Sequence, residues 1–335
     1  MSTTVRAPSP AKEDGGDLLR LGVLTDLHLA AAGSPPAMWN NPIHLGKAFD
    51  LLDLALDWLD SRVHAALVLG DLADRPDPEI YAQAARRLAA LARPVYVVAG
   101  NHDMAWPGPA EPSVMAEALT AAGGPLRMFG ATRLGRHTLA AGELRADGAG
   151  GHVDAGTFRT WPYRTASGTE SGAGGLLIWA SHFPVLSVRR RVEGCGWLYA
   201  GDLANLSAVE AALRRWPGPV LALTGHLHVR THAISGNILQ LNQAALAESP
   251  HDVALVELDA SGGSLRATRY CHSVARFEPC LETTIDPAVT AFTWNGRRWR
   301  ASTRGRRQGA APPARTPAQP PTRTAQGVPT LTTTQ

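Results

Sequence analysis

The sequence predicts an α/β protein built on a parallel sheet, and three observations support this. Short apolar runs over 18–25, 63–69 and 95–98 have the length of buried strands. Stretches of helical periodicity over 45–60 and 79–92 separate these runs. A polar cluster follows each run. Strands that alternate with helices form parallel sheets with right-handed crossovers, and ligands bind at the carboxyl ends of such strands.

The two periodic stretches are typical of amphipathic helices. In the first, Leu52, Leu56 and Leu59 recur at helical spacing, and aspartates occupy another face. Pro78 stands at the start of the second, where the missing N–H of proline has no helical partner to lose. Both stretches are therefore expected to connect parallel strands.

The second half of the chain has a different texture. A short helix over 111–122 is followed by strand-like pieces over 126–180 that glycines and polar turns interrupt. A strand ends at Trp179, residues 187–200 have the composition of an irregular loop, and Asn205 is expected to cap a helix that runs to Trp216. The remaining apolar runs predict strands over 220–223, 232–242, 252–258 and 264–271.

Composition predicts one domain over 18–300, with disordered segments over 1–17 and 301–335. The chain has a net charge of +3, but from Pro287 onward it has eight arginines and no Asp, Glu or Lys. The rest of the chain therefore has a net charge of −5, which argues against a nucleic-acid partner.

Three cysteines without metal-site spacing, no signal-peptide pattern and no membrane-length apolar run predict a cytoplasmic protein that does not bind membranes. The sequence leaves the oligomeric state open, with a homodimer as one expectation.

Seven metal-ligating side chains stand just after the predicted strands. They comprise two carboxylates, one amide and four imidazoles: Asp26, His28, Asp71, Asn101, His182, His226 and His228. First-row metal ions take N/O ligands of this mixture. Seven ligands are too many for one ion and suit two ions that share a bridging carboxylate, the arrangement that enzymes use on phosphoryl groups.

The two-residue spacing within Asp26–His28 and within His226–His228 supports the prediction that these ligands converge on one site. In an extended backbone, residues two apart lie on the same side. Each pair is thus expected to present two ligands to one volume, while Leu27 and Leu227 face apolar packing.

The segment 70–74 has a near-repeat at 201–205, where Asp202 corresponds to Asp71. Only Asp71 follows a long apolar run, so Asp71 is predicted to be the functional residue. Asp202 is predicted to be structural or of secondary importance to the site.

The five clusters in this order resemble the calcineurin-like metallophosphoesterases. The resemblance comprises Asp-x-His, Gly-Asp, Gly-Asn-His-Asp, a lone His and Gly-His-x-His, and it spans about Leu21 to His228. Within this family, the sequence most resembles the bacterial class III cyclic-nucleotide and glycerophosphodiester phosphodiesterase branch. The resemblance implies a four-layer αββα sandwich of two mixed sheets flanked by helices, with metal ions at the strand ends.

The resemblance also implies a role for each residue. Asp26, His28 and His228 would bind one ion, Asn101, His182 and His226 the other, and Asp71 would bridge the two. His102 would stabilise the phosphate or protonate the leaving oxygen, and Asp103 would orient His102. The ions would be Fe, Mn, Zn or Co, and a bridging hydroxide would attack phosphorus.

The expected function is hydrolysis of small phosphodiesters, such as cyclic nucleotides or glycerophosphodiesters. A phosphomonoesterase or a nucleotide pyrophosphatase on the same dimetal site is an alternative, and a non-catalytic scaffold is another. The walls expected to decide between the esterases are residues 29–44, 104–125 and 187–200. Trp39, Trp106 and Trp197 lie there, as does the Arg189–Arg191 run, for which a solvated basic loop is favoured over a phosphate site.

Overall fold

The computed structural model describes the chain from residue 18 to residue 302 with several gaps. The described residues are 18–104, 113–121, 126–128, 130–142, 144–147, 150–154, 175–199, 201–277 and 283–302. Trp106, residues 1–17 and residues 303–335 lie outside these ranges, so the predicted domain limits stay predictions, although Ala301 ends a strand and is not disordered.

The regular elements follow in chain order. The α-helices of the described residues are α1 Ala48–Leu59, α2 Pro78–Ala89, α3 Ser113–Ala121, α4 Arg189–Glu193 and α5 Leu206–Arg214. The strands of the first half are β1 Leu18–Leu24, β2 Ala37–Met38, β3 Pro42–Ile43, β4 Ala65–Leu69, β5 Val95–Val98, β6 Leu126–Met128, β7 Ala131–Leu134, β8 His137–Ala141, β9 Leu144–Asp147 and β10 Gly150–Val153. Those of the second half are β11 Leu177–Ser181, β12 Val220–Thr224, β13 Thr231–Ser235, β14 Ile238–Asn242, β15 Asp252–Asp259, β16 Leu265–Ser273, β17 Val289–Trp294 and β18 Trp299–Ala301.

Two mixed sheets contain most of these strands. The first sheet has the order β18-β17-β16-β15-β1-β4-β5-β6, in which β1, β4, β5 and β6 are parallel and β15 to β18 antiparallel. The second has the order β13-β14-β12-β11-β8-β7, with β8, β11, β12 and β14 parallel. The predicted parallel arrangement of the first three long strands is thus present.

The sheets pack face to face with helices outside. Leu21 and Leu67 of the first sheet share a buried cluster with Ile178 and Leu221 of the second. Helices α1 and α2 cover the other face of the first sheet, and α5 covers the other face of the second through Val209. This α/β architecture confirms the αββα sandwich.

Helix α2 begins as the sequence indicates. Pro78 is its first residue, and the carboxylate of Asp77 accepts hydrogen bonds from the backbone N–H groups of Glu79 and Ile80. A proline at the first position and an aspartate cap are the usual signals of a helix start.

Three other expectations differ from the structure. Residues 187–200 contain the short helix α4 rather than only irregular loop. Asn205 precedes α5 but its amide bonds to both backbone groups of Val153, so it ties two segments together instead of capping the helix. Strands β17 and β18, which complete the edge of the first sheet, were not predicted.

Among the described residues, no helix has both the length and the apolar character that a bilayer crossing requires.

A buried histidine far from the strand-end cluster gives the fold a testable pH dependence. The His137 side chain on β8 is buried, and burial together with the charges of Arg136 and Arg133 lowers its pKa from 6.5 to about 4. Below pH 6.5 the unfolded chain therefore binds a proton at this histidine that the folded chain does not bind. The free energy of unfolding consequently falls as the pH falls toward 4.

We expect the wild-type free energy of unfolding to lose about 3 kcal/mol more than that of His137→Leu between pH 7 and pH 4. Urea denaturation of both proteins at each pH measures this difference. Parallel pH profiles for the two proteins would show that His137 titrates normally.

Candidate metal centre

The seven predicted ligands stand on tight turns directly after the sheet strands. Five of them have positive φ angles of 44–69°, in the left-handed region that non-glycine residues rarely adopt: Asp26, His28, Asp71, His226 and His228. The i, i+2 pairs therefore converge through left-handed turns, and the expectation of an extended backbone was wrong. Leu27 and Leu227 are fully buried in apolar clusters, as expected.

Asp26 is the centre of a first group of donors. Its Oδ1 lies 3.3 Å from Nε2 of His228, and that nitrogen lies 3.3 Å from Nε2 of His28. The carboxylate also accepts hydrogen bonds from the Thr25 hydroxyl at 2.7 Å and from the backbone N–H of His226 at 3.0 Å. Burial raises the pKa of Asp26, but the charges of His228 and His182 and the hydrogen bond to His228 together outweigh burial and bring the pKa to about 2. The carboxylate is thus ionised at neutral pH.

Asp71 lies between this group and a second one. Its Oδ2 lies 3.8 Å from Nε2 of His28 and 3.3 Å from Nε2 of His182. The same His182 nitrogen lies 3.1 Å from Oδ1 of Asn101 and 3.2 Å from Nδ1 of His226. The structure therefore brings all seven predicted ligands together, with Asp71 next to both groups.

The charges of the site fit bound cations. Burial lowers the pKa of His182 and of His228. Asp71 and Asp26 together outweigh burial at His182 and raise its pKa to about 9, and Asp26 and Glu248 together do so at His228 and raise its pKa to about 10. Burial and the charge of His182 lower the pKa of His226 to about 3. The two carboxylates therefore attract positive charge, which a bound metal ion would supply in place of ring protons.

The facing ring nitrogens also fit a metal. The Nε2 atoms of His28 and His228 face each other, and Nδ1 of His226 faces Nε2 of His182. Two unprotonated ring nitrogens are both acceptors, so each such pair requires a proton or a cation between them. Asp26, His28 and His228 offer ligand atoms within 4.8 Å of one another, and so do Asp26, Asp71 and His182.

His102 lies at the edge of this cluster. Its side chain is 41% exposed, its Nδ1 lies 2.8 Å from the backbone carbonyl oxygen of Asp74, and its ring lies edge-on to that of His28 at 4.7 Å. With His28 and Asp71 it forms a third group whose ligand atoms lie within 4.8 Å. Its Nε2 is therefore the ring nitrogen left for substrate or metal.

Asp103 acts on the loop backbone and not on the His102 ring. Its buried carboxylate accepts hydrogen bonds from three backbone N–H groups, those of Leu72, Ala73 and Gly100. Burial and the charge of Asp71 raise the pKa of Asp103 to about 6. The expectation that Asp103 orients His102 thus has to be corrected: among the described residues, the hydrogen-bond partner of the His102 ring is the Asp74 carbonyl.

Two carboxylates near the site were missed by the sequence reasoning. The side chain of Asp74 lies 3.4 Å from Nδ1 of His28, and that of Glu248 lies 2.5 Å from Nδ1 of His228. Asp74 is the last residue of the Gly-Asp-Leu-Ala-Asp segment, so this segment could have indicated that Asp74 lies near the site. Glu248 follows the apolar run 244–247, and a charge next to such a run was the only signal for it.

Both tryptophans of the neighbouring loops pack against apolar clusters. Trp39 packs against the cluster of Ile43, Leu45 and Ala247, and its ring lies 6.3 Å from that of His228. Trp197 packs against the cluster of Val188, Val192, Leu227 and Val229. Asp202 accepts hydrogen bonds from Ser187 and Tyr199 and belongs to none of the metal-capable groups among the described residues. Arg189 pairs with Glu193 and Arg191 with Asp286.

Comparison with known proteins gives the family. Residues 19–230 match the family model of the calcineurin-like phosphoesterases. The chain therefore belongs to the calcineurin-like phosphoesterase family, whose members are dimetal-dependent hydrolases. None of the curated proteins is significantly similar to it in sequence.

Solved structures give weaker similarities. A predicted phosphoesterase from Streptococcus pneumoniae is 15% identical over 83% of this chain and 98% of its own, with a TM-score of 0.36. A Thermus thermophilus protein is 14% identical over 77% of this chain and 100% of its own, with a TM-score of 0.43. The phosphopantetheinyl hydrolase of Mycobacterium tuberculosis is 15% identical over 69% of this chain and 91% of its own, with a TM-score of 0.38.

The close approach of two strand-end loops makes Gly100 a test of the site. A Cβ at residue 100 would lie 2.1 Å from Oδ1 and 2.3 Å from the backbone nitrogen of Asp71. Because a backbone atom cannot rotate away, Gly100→Ala is expected to displace Asp71 and to lower the metal content after Mn²⁺ loading. Elemental analysis of the desalted protein measures that content.

Gly130→Ala is the matched control, because a Cβ there meets no atom within 4 Å. It is expected to keep the wild-type metal content. Equal metal in the two variants would contradict the role of Asp71 as a ligand.

Proposed function

We propose that the chain is a phosphodiesterase that hydrolyses small phosphodiesters, with cyclic nucleotides and glycerophosphodiesters as the leading substrate classes. The observation that supports this most strongly is the convergence of seven side chains of metal-ligating types from both sheets, six of them buried. The motif pattern, which is most similar to the class III branch of the family, favours diesters. The described residues form two large sheets with flanking helices and two two-stranded sheets, β2-β3 and β9-β10, and they include no separate domain over the site.

The proposed ligands divide into two sets around Asp71. Asp26, His28 and His228 would hold one ion, and Asn101, His182 and His226 the other. Asp71 would bridge the two, in keeping with its distances of 3.8 Å from His28 and 3.3 Å from His182. The donors include nitrogen and oxygen and suit Fe, Mn, Zn or Co.

The ions, when bound, would lower the pKa of a coordinated water and neutralise phosphate oxygens. The chain itself contributes His102 as the proposed catalytic acid. The Nδ1–H of His102 donates to the Asp74 carbonyl, which leaves Nε2 as the atom that would transfer a proton to the departing oxygen. The Asp103 carboxylate accepts hydrogen bonds from the backbone N–H groups of Leu72, Ala73 and Gly100, so it ties the loop that presents Asn101 and His102 to the loop after Asp71.

The proposal extends to partners and location. A small phosphoester would be the partner at the site, in a cytoplasmic protein that binds neither membranes nor nucleic acid. A homodimer is the proposed assembly.

The first experiment compares a diester with a monoester. We expect the Mn²⁺-loaded protein to hydrolyse bis(p-nitrophenyl) phosphate faster than p-nitrophenyl phosphate, and Asn101→Ala to lose both activities because one ion loses a ligand. Release of p-nitrophenol measures each rate. A preference for the monoester would support a phosphomonoesterase instead, and no turnover of either ester by the protein with two ions bound would contradict the proposal for esters of this size.

His102→Ala separates a catalytic role from a ligand role. As a catalytic acid, His102 is expected to contribute a factor of about 10²–10⁴ to turnover while metal content stays at the wild-type level. Diester turnover and elemental analysis of the same preparation measure the two quantities. Loss of metal would instead make His102 a ligand, as its proximity to His28 and Asp71 allows.

A further inference from the structure

Glu248 is a fully buried carboxylate beside the candidate metal centre. Its Oε2 lies 2.5 Å from Nδ1 of His228, and its Oε1 accepts a hydrogen bond of 2.6 Å from the backbone N–H of Asn41. A buried carboxylate is unfavourable unless it is paired and hydrogen-bonded. Each of the two contacts involves a different oxygen of the Glu248 carboxylate.

Both hydrogen-bond partners of the Glu248 carboxylate, the His228 ring and the Asn41 backbone, act as N–H donors. The backbone nitrogen of Asn41 can only donate, and an ionised carboxylate can only accept, so the proton between Glu248 and His228 lies on Nδ1 of the ring. A glutamine at residue 248 has one oxygen and one NH₂ group. It could therefore satisfy one of the two donors but not both.

This contact decides which His228 nitrogen faces the site. With Nδ1 occupied by Glu248, Nε2 is the free nitrogen, and it lies 3.3 Å from Oδ1 of Asp26 and 3.3 Å from Nε2 of His28. Metal-ligating histidines commonly have a carboxylate on the second ring nitrogen, which fixes the tautomer and the ring orientation.

The other contact reaches the loop in front of the site. The backbone of Ile43 forms a β-bridge with Glu248, and the backbone of Ala247 accepts a hydrogen bond from His44. Trp39, in the same loop, lies 6.3 Å from the His228 ring. The segment around Glu248 is thus joined both to a candidate ligand and to the loop that contains Trp39.

We propose that Glu248 is a positioning residue, which holds His228 with Nε2 toward the metal site and ties the loop around Asn41 to that ring. This inference rests on the proposed function, because it takes His228 as a metal ligand. Glu248 itself touches neither ion nor substrate in this proposal. Its effect on catalysis passes through His228.

The test measures metal affinity separately from turnover. Mn²⁺ titrated into the metal-free wild type and into Glu248→Gln is expected to bind the variant about 10–100-fold more weakly at one of the two sites. Diester turnover of the variant is expected to recover as the Mn²⁺ concentration is raised until two ions are bound. A purely structural defect would not recover in this way.

Glu257→Gln is the matched control. Glu257 pairs with Arg20 at 3.0 Å on β15 and contacts none of the candidate ligands among the described residues. It is expected to keep the wild-type metal affinity. If Glu248→Gln does not fold, as circular dichroism would show, Glu248→Asp replaces it, because the shorter side chain cannot reach both donors.

Two outcomes would overturn the inference. One is wild-type Mn²⁺ affinity in the folded Glu248 variant, and the other is low turnover of that variant when two ions are bound. Failure of the proposed function gives a different result: the wild type would bind two ions and hydrolyse neither ester, while the affinity comparison would still report on Glu248.

Discussion

Two carboxylates, Asp26 and Asp71, are buried at the ends of parallel strands, and the rest of the site follows from the need to stabilise their charges. An ionised carboxylate in an apolar interior is strongly unfavourable unless donors or cations surround it. Asp26 accepts hydrogen bonds from the Thr25 hydroxyl and the His226 backbone, and Asp71 accepts one from the His102 backbone. The remaining compensation comes from imidazoles, which either hold protons or bind metal ions.

The backbone has a strained geometry to meet this requirement. A non-glycine residue at positive φ is held there only when the surrounding structure fixes it, at a cost on the order of 1–3 kcal/mol. Five candidate ligands share this conformation, and it turns their side chains inward immediately after the sheet ends. The glycine at residue 100 allows a neighbouring loop to approach Asp71. The strained turns thus lower the stability of the folded chain around the site, and they bring the candidate metal ligands close together.

The sequence was sufficient for the parts of the molecule that depend on patterns along the chain. Apolar runs and helical periodicity predicted β1, β4 and β5 and their connecting helices, and the strand-end clusters predicted which side chains would meet. The left-handed turns were not predictable from the residue types, because Asp and His at a strand end also fit an extended backbone. Glu248 and the backbone contacts of Asp103 depend on which segments pack together in space, which no local pattern encodes. Strands β17 and β18 were missed because neither contains a continuous apolar run. Two threonines interrupt Val289–Trp294, and Trp299–Ala301 has only three residues and contains an arginine.

The distance along the chain between the donors affects how the protein folds. Asp26 and its partner His226 are 200 residues apart, and His182 lies 81 residues from Asn101. Contacts between such distant segments form late, because the loops that they close are long and lose much entropy. A metal ion that needs ligands from both sheets would have no complete binding site in the folding transition state, because these contacts are absent there. Interactions absent from the transition state slow unfolding and leave the folding rate unchanged. A bound ion thus lengthens the lifetime of the folded chain without speeding its formation.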